Sequence, residues 1–146
     1  MTSLEIARTA FEVLREHAVT SYPDECCGAL LGTAGADRAR VVVTLPLPNT
    51  TAEGARRRFL VRPQDYREAE MRARQIGADL IGFYHSHPDN PASPSTYDLQ
   101  HAWPNLSYVI IGVEGSRPGE ARSWRLRADR SAFDEERISL PWQHQS

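Results

Sequence analysis

The sequence of 146 residues contains no lysine, and all 17 of its basic residues are arginine. Its 19 acidic residues give a formal net charge of -2, so no basic surplus indicates a nucleic-acid-binding protein. No segment approaches the roughly 20 apolar residues that cross a bilayer. The N-terminus also lacks the basic start and apolar run of a signal peptide. We therefore expect a cytoplasmic protein that binds neither membrane nor nucleic acid.

Cysteine is also scarce, with Cys26 and Cys27 adjacent and no distant cysteine for either to pair with. This pattern fits a reducing compartment. Cys27 begins an apolar segment and is predicted to pack in the core, whereas Cys26 is predicted to face a cleft beside Glu25. A chain of this length buries a core without disulfides or a structural metal, so we expect one domain over residues 1–146.

Helical and strand-like patterns alternate along the chain, which predicts an α+β fold with a sandwich-like, mixed β-sheet flanked by helices. Tyr22-Pro23 ends the first helix, which a Thr2-x-x-Glu5 capping box would begin, and Gly77 ends the second. The predicted helices are Leu4–Ala18, Pro63–Ile76 and one that begins near Ser95. The predicted strands are Cys27–Leu31, Arg40–Leu47, Arg57–Val61, Leu80–His85, Tyr108–Val113, Ala121–Leu126 and an edge strand, Phe133–Leu140.

Two histidines lie at the end of a predicted strand. Residues two apart on a strand point to the same face, so His85 and His87 present two imidazoles side by side. Pro88 ends the strand, and a proline-rich loop returns the chain so that Asp98 becomes a third ligand. Two imidazoles and a carboxylate suit Zn²⁺ and leave a fourth position for water, as in a catalytic site.

The run His85-Ser86-His87-Pro88, six further residues and then Ser95-x-x-Asp98 resembles the motif of the JAMM (MPN+) metallopeptidases. The spacing agrees at every motif position. The resemblance implies an MPN fold, similar to cytidine deaminase, and one catalytic zinc ion held by His85, His87 and Asp98. It extends upstream to Pro23-x-Glu25-x-Cys27-Gly28, which is similar to the setting of the family's catalytic glutamate.

A zinc-activated water needs a group that takes its proton and returns it to the leaving amine. The resemblance implies Glu25 for this role, and the neighbouring Asp24 is its competitor. Ser95 is predicted to donate a hydrogen bond to the developing oxyanion. Its alternative role is a helix N-cap, although Ser93 before Pro94 is predicted to take that position instead. His101 could approach the metal, but a position on a polar helix face is favoured.

The short step from Asp98 to Tyr108 lacks the insertions of eukaryotic deubiquitinases, and so resembles the stand-alone prokaryotic members. That resemblance implies a small ubiquitin-like or sulfur-carrier protein with a Gly-Gly tail as the substrate. Hydrolysis after the tail, of a peptide or isopeptide bond, is the expected reaction, with the tail admitted by strand addition at a sheet edge. The alternatives are a RadC-like DNA-repair-associated protein and a non-catalytic MPN scaffold. Whether the protein forms a homodimer stays open.

Overall fold

A computed structural model of the protein describes residues 2–48 and 61–143. These residues form seven strands, three α-helices and a final 3-10 turn. In chain order the elements are β1 (Ser3–Ile6), α1 (Arg8–Ser21), β2 (Cys27–Thr33), β3 (Arg38–Leu47), α2 (Pro63–Gln75), β4 (Asp79–Pro88), α3 (Thr96–His101), β5 (Ser107–Glu114), β6 (Arg117–Leu126), β7 (Phe133–Ser139) and the turn Pro141–Gln143. The predicted strand Arg57–Val61 lies outside the described residues except for Val61.

The seven strands form one mixed sheet in the order β1-β3-β2-β4-β5-β6-β7. The sheet closes into a barrel because β1 pairs in parallel with both β3 and β7. The mixed sheet with flanking helices agrees with the predicted α+β class, but the predicted sandwich-like arrangement is wrong. The last strand is likewise not an edge strand, because β7 pairs with β6 on its other side.

The N-terminal segment differs most from its predicted structure. Residues 3–6 form β1 and not the first turn of a helix, and burial alternates along them, with Leu4 and Ile6 fully buried. Thr2 does not cap a helix, and its hydroxyl donates to Glu136 Oε2 at 2.8 Å. Over four residues an apolar pattern fits a strand or a helix equally well, so pairing with distant strands decides the conformation.

The other predicted elements are present, most of them with slightly different ends. Helix α1 ends before Tyr22, and α2 ends before Gly77, whose φ of 69° suits glycine. The turn between β5 and β6 is only two residues long, because β6 begins at Arg117, four residues before the predicted start at Ala121. Within the described ranges, no helix combines the length and the apolar character needed to cross a membrane.

Two apolar clusters pack against the sheet and divide the residues of β4 between them. Tyr84 lies in the cluster with Leu14 of α1, whereas Phe83 lies in the cluster with Ala73 of α2. Since side chains alternate along a strand, His85 shares the side of Phe83. His85, near the end of β4, therefore lies on the α2 side of the sheet.

Candidate metal centre

His85 and His87 lie at the C-terminal end of β4, in the middle of the sheet. Strand β4 pairs with β2 on one side, where His85 lies opposite Cys27, and with β5 on the other, where it lies opposite Ile110. Both imidazoles are buried, since His85 is 1% exposed and His87 is 8% exposed. Their Nε2 atoms are 3.1 Å apart, so the two rings converge on one point.

The first turn of α3 brings Asp98 to the same point. Its Oδ2 atom is 3.2 Å from His85 Nε2 and 3.3 Å from His87 Nε2. The same Oδ2 atom also accepts a hydrogen bond from the Ser95 amide at 2.9 Å, which holds the carboxylate in place. The three predicted ligands are therefore together, although they come from two elements and a proline-rich loop separates them.

These three side chains fit a divalent metal ion such as zinc. Ligand atoms at about 2.0 Å from a tetrahedral zinc ion lie roughly 3.3 Å from one another. The observed separations are 3.1, 3.2 and 3.3 Å. His87 Nδ1 is 2.8 Å from the Pro91 carbonyl oxygen, which leaves Nε2 for the metal. Two nitrogens and one oxygen form a donor set typical of a catalytic zinc site.

The ionisation of these ligands also favours a cation. Burial lowers the pKa of His85 and thereby favours the neutral imidazole that binds metals, although Asp98 opposes this shift. Burial alone would raise the pKa of Asp98, but the charge of His85 and hydrogen bonds with both histidines outweigh it and hold that pKa well below its usual range. The lowered pKa of His85 favours a neutral imidazole, and the lowered pKa of Asp98 favours an ionised carboxylate.

Glu25 lies just before β2 and faces the histidine pair. A carboxylate oxygen of Glu25 and one ring nitrogen of each histidine lie within 4.8 Å of one another. Glu25 is 5% exposed, and burial together with the charge of Asp98 raises its pKa to about 9. The competing Asp24 is exposed to solvent. Of the two adjacent acids, only Glu25 is brought to the candidate centre, and its catalytic role stays a prediction.

Ser95 has the helix-capping role that was predicted for Ser93. It is the N-cap of α3, and its Oγ accepts a hydrogen bond from the Asp98 amide at 3.0 Å. The two residues form a reciprocal capping box, so the prediction that Ser95 is not needed as a cap is wrong. Accepting that bond leaves the hydroxyl proton available to donate, and the oxyanion role of Ser95 stays a prediction.

The two cysteines are not part of the centre. Cys26 packs in the cluster with α1 and not toward the cleft, which corrects the predicted position, and Cys27 packs in the cluster with α2 as predicted. Burial is the largest cause that raises their thiol pKa values to about 11 and about 12. Neither is suited to act as a nucleophile.

A recess with mostly apolar walls borders the ligands His85 and Asp98. His101 lies at this recess but is exposed and stacked on Tyr97, with 4.0 Å between ring centroids, as the polar helix face predicted. The remaining wall residues are Val61, Pro94, Ala102, Tyr108, Ile110 and Phe133.

The sequence did not indicate two of the contacts that support the site. The Pro91 carbonyl that orients His87 is a backbone group, so no side-chain pattern could have indicated it. Ser86 points away from the metal, as strand alternation predicts. Its hydroxyl oxygen accepts from the Cys26 amide at 2.9 Å and so ties β4 to the residue after Glu25.

Comparison with known proteins places these features in a family. A family model described as prokaryotic homologs of the JAB domain matches residues 7–127. The chain is similar to a desampylase of Haloferax volcanii, 34% identical over 69% of this chain and 71% of that protein. It is also similar to a probable TtuB-protein conjugate cleaving protease of Thermus thermophilus, 32% identical over 78% and 73% of the two chains. A CysO-cysteine peptidase of Mycobacterium tuberculosis is 29% identical over 75% and 73%.

Solved structures with a similar fold are also found. A solution structure of a protein from Desulfitobacterium hafniense superposes with a TM-score of 0.80 and 31% identity, covering 98% of this chain and 99% of that one. A JAB1/MPN domain protein from Archaeoglobus fulgidus has a TM-score of 0.56 at 19% identity over 95% and 100% of the two chains, which supports the fold alone. The chain belongs to the family of prokaryotic JAB-domain proteins.

Proposed function

We propose that this protein is a zinc-dependent peptidase that cleaves the bond after the C-terminal Gly-Gly of a small ubiquitin-like or sulfur-carrier protein. The observation that carries the proposal is the convergence of His85, His87 and Asp98 beside the buried Glu25. The relatives support the substrate class, because their names describe a desampylase, cleavage of a TtuB-protein conjugate and a peptidase for CysO-cysteine.

His85, His87 and Asp98 would hold the zinc ion. The chemistry that zinc supplies in such a site is Lewis-acid activation of a water molecule and of the scissile carbonyl. The protein contributes the preorganised arrangement: the Pro91 carbonyl orients His87, and the Ser95 amide orients Asp98. Ligands held in this way need little rearrangement during the reaction.

Glu25 would move the proton. One of its carboxylate oxygens accepts a proton from the attacking water and later delivers it to the nitrogen of the leaving amine. In the metal-free protein, burial and the charge of Asp98 raise the pKa of Glu25 to about 9, which favours retention of a proton at neutral pH. A nearby cation lowers the pKa of a carboxyl group. Beside a bound metal ion, Glu25 can therefore both accept and release the proton.

The recessed position of the centre supports a Gly-Gly tail as the substrate. The three ligands and Glu25 are each at most 9% exposed, so a substrate chain must approach the site closely. Glycine has no side chain to obstruct this approach. The expected strand addition at a sheet edge is not supported, because each of the seven described strands has a neighbour on both sides.

Cleavage of defined fusions tests the proposal. A small ubiquitin-like carrier protein that ends in Gly-Gly and is extended by a short peptide should be cut after the second glycine by zinc-loaded protein. A strong chelator should abolish cleavage, and added zinc should restore it. The matched control substrates carry Val-Val in place of Gly-Gly. Cleavage that resists the chelator, or equal cleavage of the Val-Val fusions, would contradict the proposal.

A further inference from the structure

A hydrogen bond on the surface joins the two segments that carry the candidate catalytic groups. The Tyr22 hydroxyl donates to Asp89 Oδ2 at 2.6 Å. Tyr22 precedes Glu25 by three residues, and Asp89 follows His87 by two. The bond therefore links the loop that holds the candidate proton carrier to the loop between the metal ligands.

Asp89 is itself held in place, so it can serve as an anchor. Its amide donates to the Val113 carbonyl at 2.6 Å, and its Oδ1 accepts from the Gly115 amide at 3.3 Å. Its φ is 56°, a left-handed conformation that aspartate adopts more readily than most residues. These contacts fasten the end of β4 to the hairpin between β5 and β6.

A second link lies on the other side of Glu25. The Cys26 amide donates to the Ser86 hydroxyl at 2.9 Å, and the Ser86 amide donates to the Cys26 carbonyl at 3.2 Å. Strand β2 begins only at Cys27, so Glu25 lies outside the regular ladder. Glu25 is therefore bracketed by two links to the same strand and its continuation, one at Tyr22 and one at Cys26.

The two links on either side of Glu25 oppose its movement out of the buried site. Burying a carboxylate near a second carboxylate is unfavourable, and the charge of Asp98 acts on Glu25. Local turn contacts such as the bond from the Asp24 amide to the Ser21 carbonyl do not tie this loop to β4. Without a link to β4 before Cys26, the loop could relieve this cost by moving Glu25 toward solvent, where Asp24 already lies. A link on the N-terminal side opposes that movement.

We propose that Tyr22 is a positioning residue whose hydroxyl, anchored on Asp89, holds Glu25 against His85 and His87. The proposal rests on the proposed function, in which Glu25 moves the proton. Tyr22 touches neither the metal ligands nor the reacting atoms in this role, and it acts through the position of Glu25.

The bond between Tyr22 and Asp89 is solvent-exposed. An effect of Tyr22 on turnover can therefore be distinguished from an effect on stability. A hydrogen bond between exposed groups makes only a small contribution to the free energy of unfolding. Its loss leaves the fold intact, whereas a displacement of about 1 Å in a catalytic group can cost roughly 100-fold in rate. The effect on turnover should therefore exceed the effect on stability.

The test compares Y22F with Y84F in the zinc-loaded protein and the carrier fusions. Y22F should lower kcat by about ten-fold, with KM and zinc affinity within about two-fold of wild type. Y84F removes the 2.7 Å contact of Tyr84 with His17, which joins β4 to α1. It should lower the melting temperature and leave kcat within about two-fold of wild type.

The partner residue gives a second comparison. D89A should reproduce the kcat of Y22F, and the double variant should be no slower than either one, because both remove the same link. D89N should retain most of the activity, since its amide can donate to the Tyr22 oxygen while its carbonyl accepts from Gly115. Additive losses in the double variant would contradict the proposal.

Hydrogen exchange supplies a readout that does not depend on catalysis. In the metal-free protein, the Cys26 amide should exchange faster in Y22F than in wild type. In Y84F its exchange rate should equal that of wild type. If wild type fails to cut the fusions, the proposed function is wrong, and the exchange rates still test the link. Unchanged kcat and exchange in Y22F would overturn the inference, as would a loss of kcat that accompanies an equal loss of zinc affinity.

Discussion

Asp24 and Glu25 are adjacent acids in different environments. Asp24 is exposed, while Glu25 is buried beside the histidine pair. The difference arises because the Cys26 amide is hydrogen-bonded to Ser86 and Cys27 is the strand partner of His85. These contacts direct the Glu25 side chain toward β4. A single residue step along the chain thus separates a solvated acid from a candidate proton carrier.

Replacement of these two acids tests the role of Glu25. E25Q removes the proton carrier but is nearly isosteric, so kcat should fall by roughly 10²–10⁴-fold. Zinc content should stay at one ion per chain, because the ligands His85, His87 and Asp98 are intact. The matched control D24N should keep nearly full activity. Cleavage assays and metal analysis measure both quantities, and a D24N variant as slow as E25Q would point to the wrong acid.

At the scale of elements, α3 places a ligand through its cap. The helix has only six residues, and an isolated helix of that length is unstable in water. The capping box of Ser95 and Asp98 satisfies amides at its start, and the same Asp98 oxygen faces the histidines. Stability of the first helical turn and position of the metal ligand are therefore coupled.

This coupling predicts different effects for two nearby serines. S95A removes the acceptor of the Asp98 amide and should cost about 1 kcal/mol of unfolding free energy. Zinc affinity should fall with it, because Asp98 is less well held. S93A changes an exposed serine outside the helix and should alter neither quantity. Denaturant unfolding and zinc titration are the measurements. Equal effects of the two substitutions would show that Ser95 is not the effective cap.

For the whole molecule, a buried carboxylate joins the strands where the barrel closes. Glu136 of β7 accepts hydrogen bonds from Ser107 of β5 at 2.5 Å, Ser123 of β6 at 2.7 Å and Thr2 beside β1 at 2.8 Å. Only 4% of Glu136 is exposed, so these bonds replace its solvation. The network links the N-terminal strand to the C-terminal half of the sheet.

Loss of this acceptor should weaken the fold without changing the site. In E136A the three hydroxyls lose their acceptor, which should cost about 1–3 kcal/mol of unfolding free energy. E135A changes the exposed neighbour on the same strand and should stay within about 0.5 kcal/mol of wild type. Urea unfolding measures both, and zinc affinity should be unchanged in each. Equal stabilities of the two variants would contradict the role of the network.

Local sequence was sufficient for most elements and for the candidate ligands. Helix α2 between Pro63 and Gly77 and strands such as β5 have patterns that few other conformations satisfy. His85 and His87 share a face because strand alternation is a local property. Asp98 joined them in the prediction because a proline-rich loop of suitable length returns the chain, and the structure brings its Oδ2 atom within 3.3 Å of both rings.

The sequence by itself therefore determined the main helices and strands and the three candidate ligands, since these follow from local periodicity and motif spacing. Tertiary structure alone decided that residues 3–6 form a strand, that the sheet closes and that Ser95 caps α3. It also decided the burial that raises the pKa of Glu25. Each of these depends on partners distant in the chain, and a local pattern does not encode which distant residues exclude water or complete a hydrogen bond.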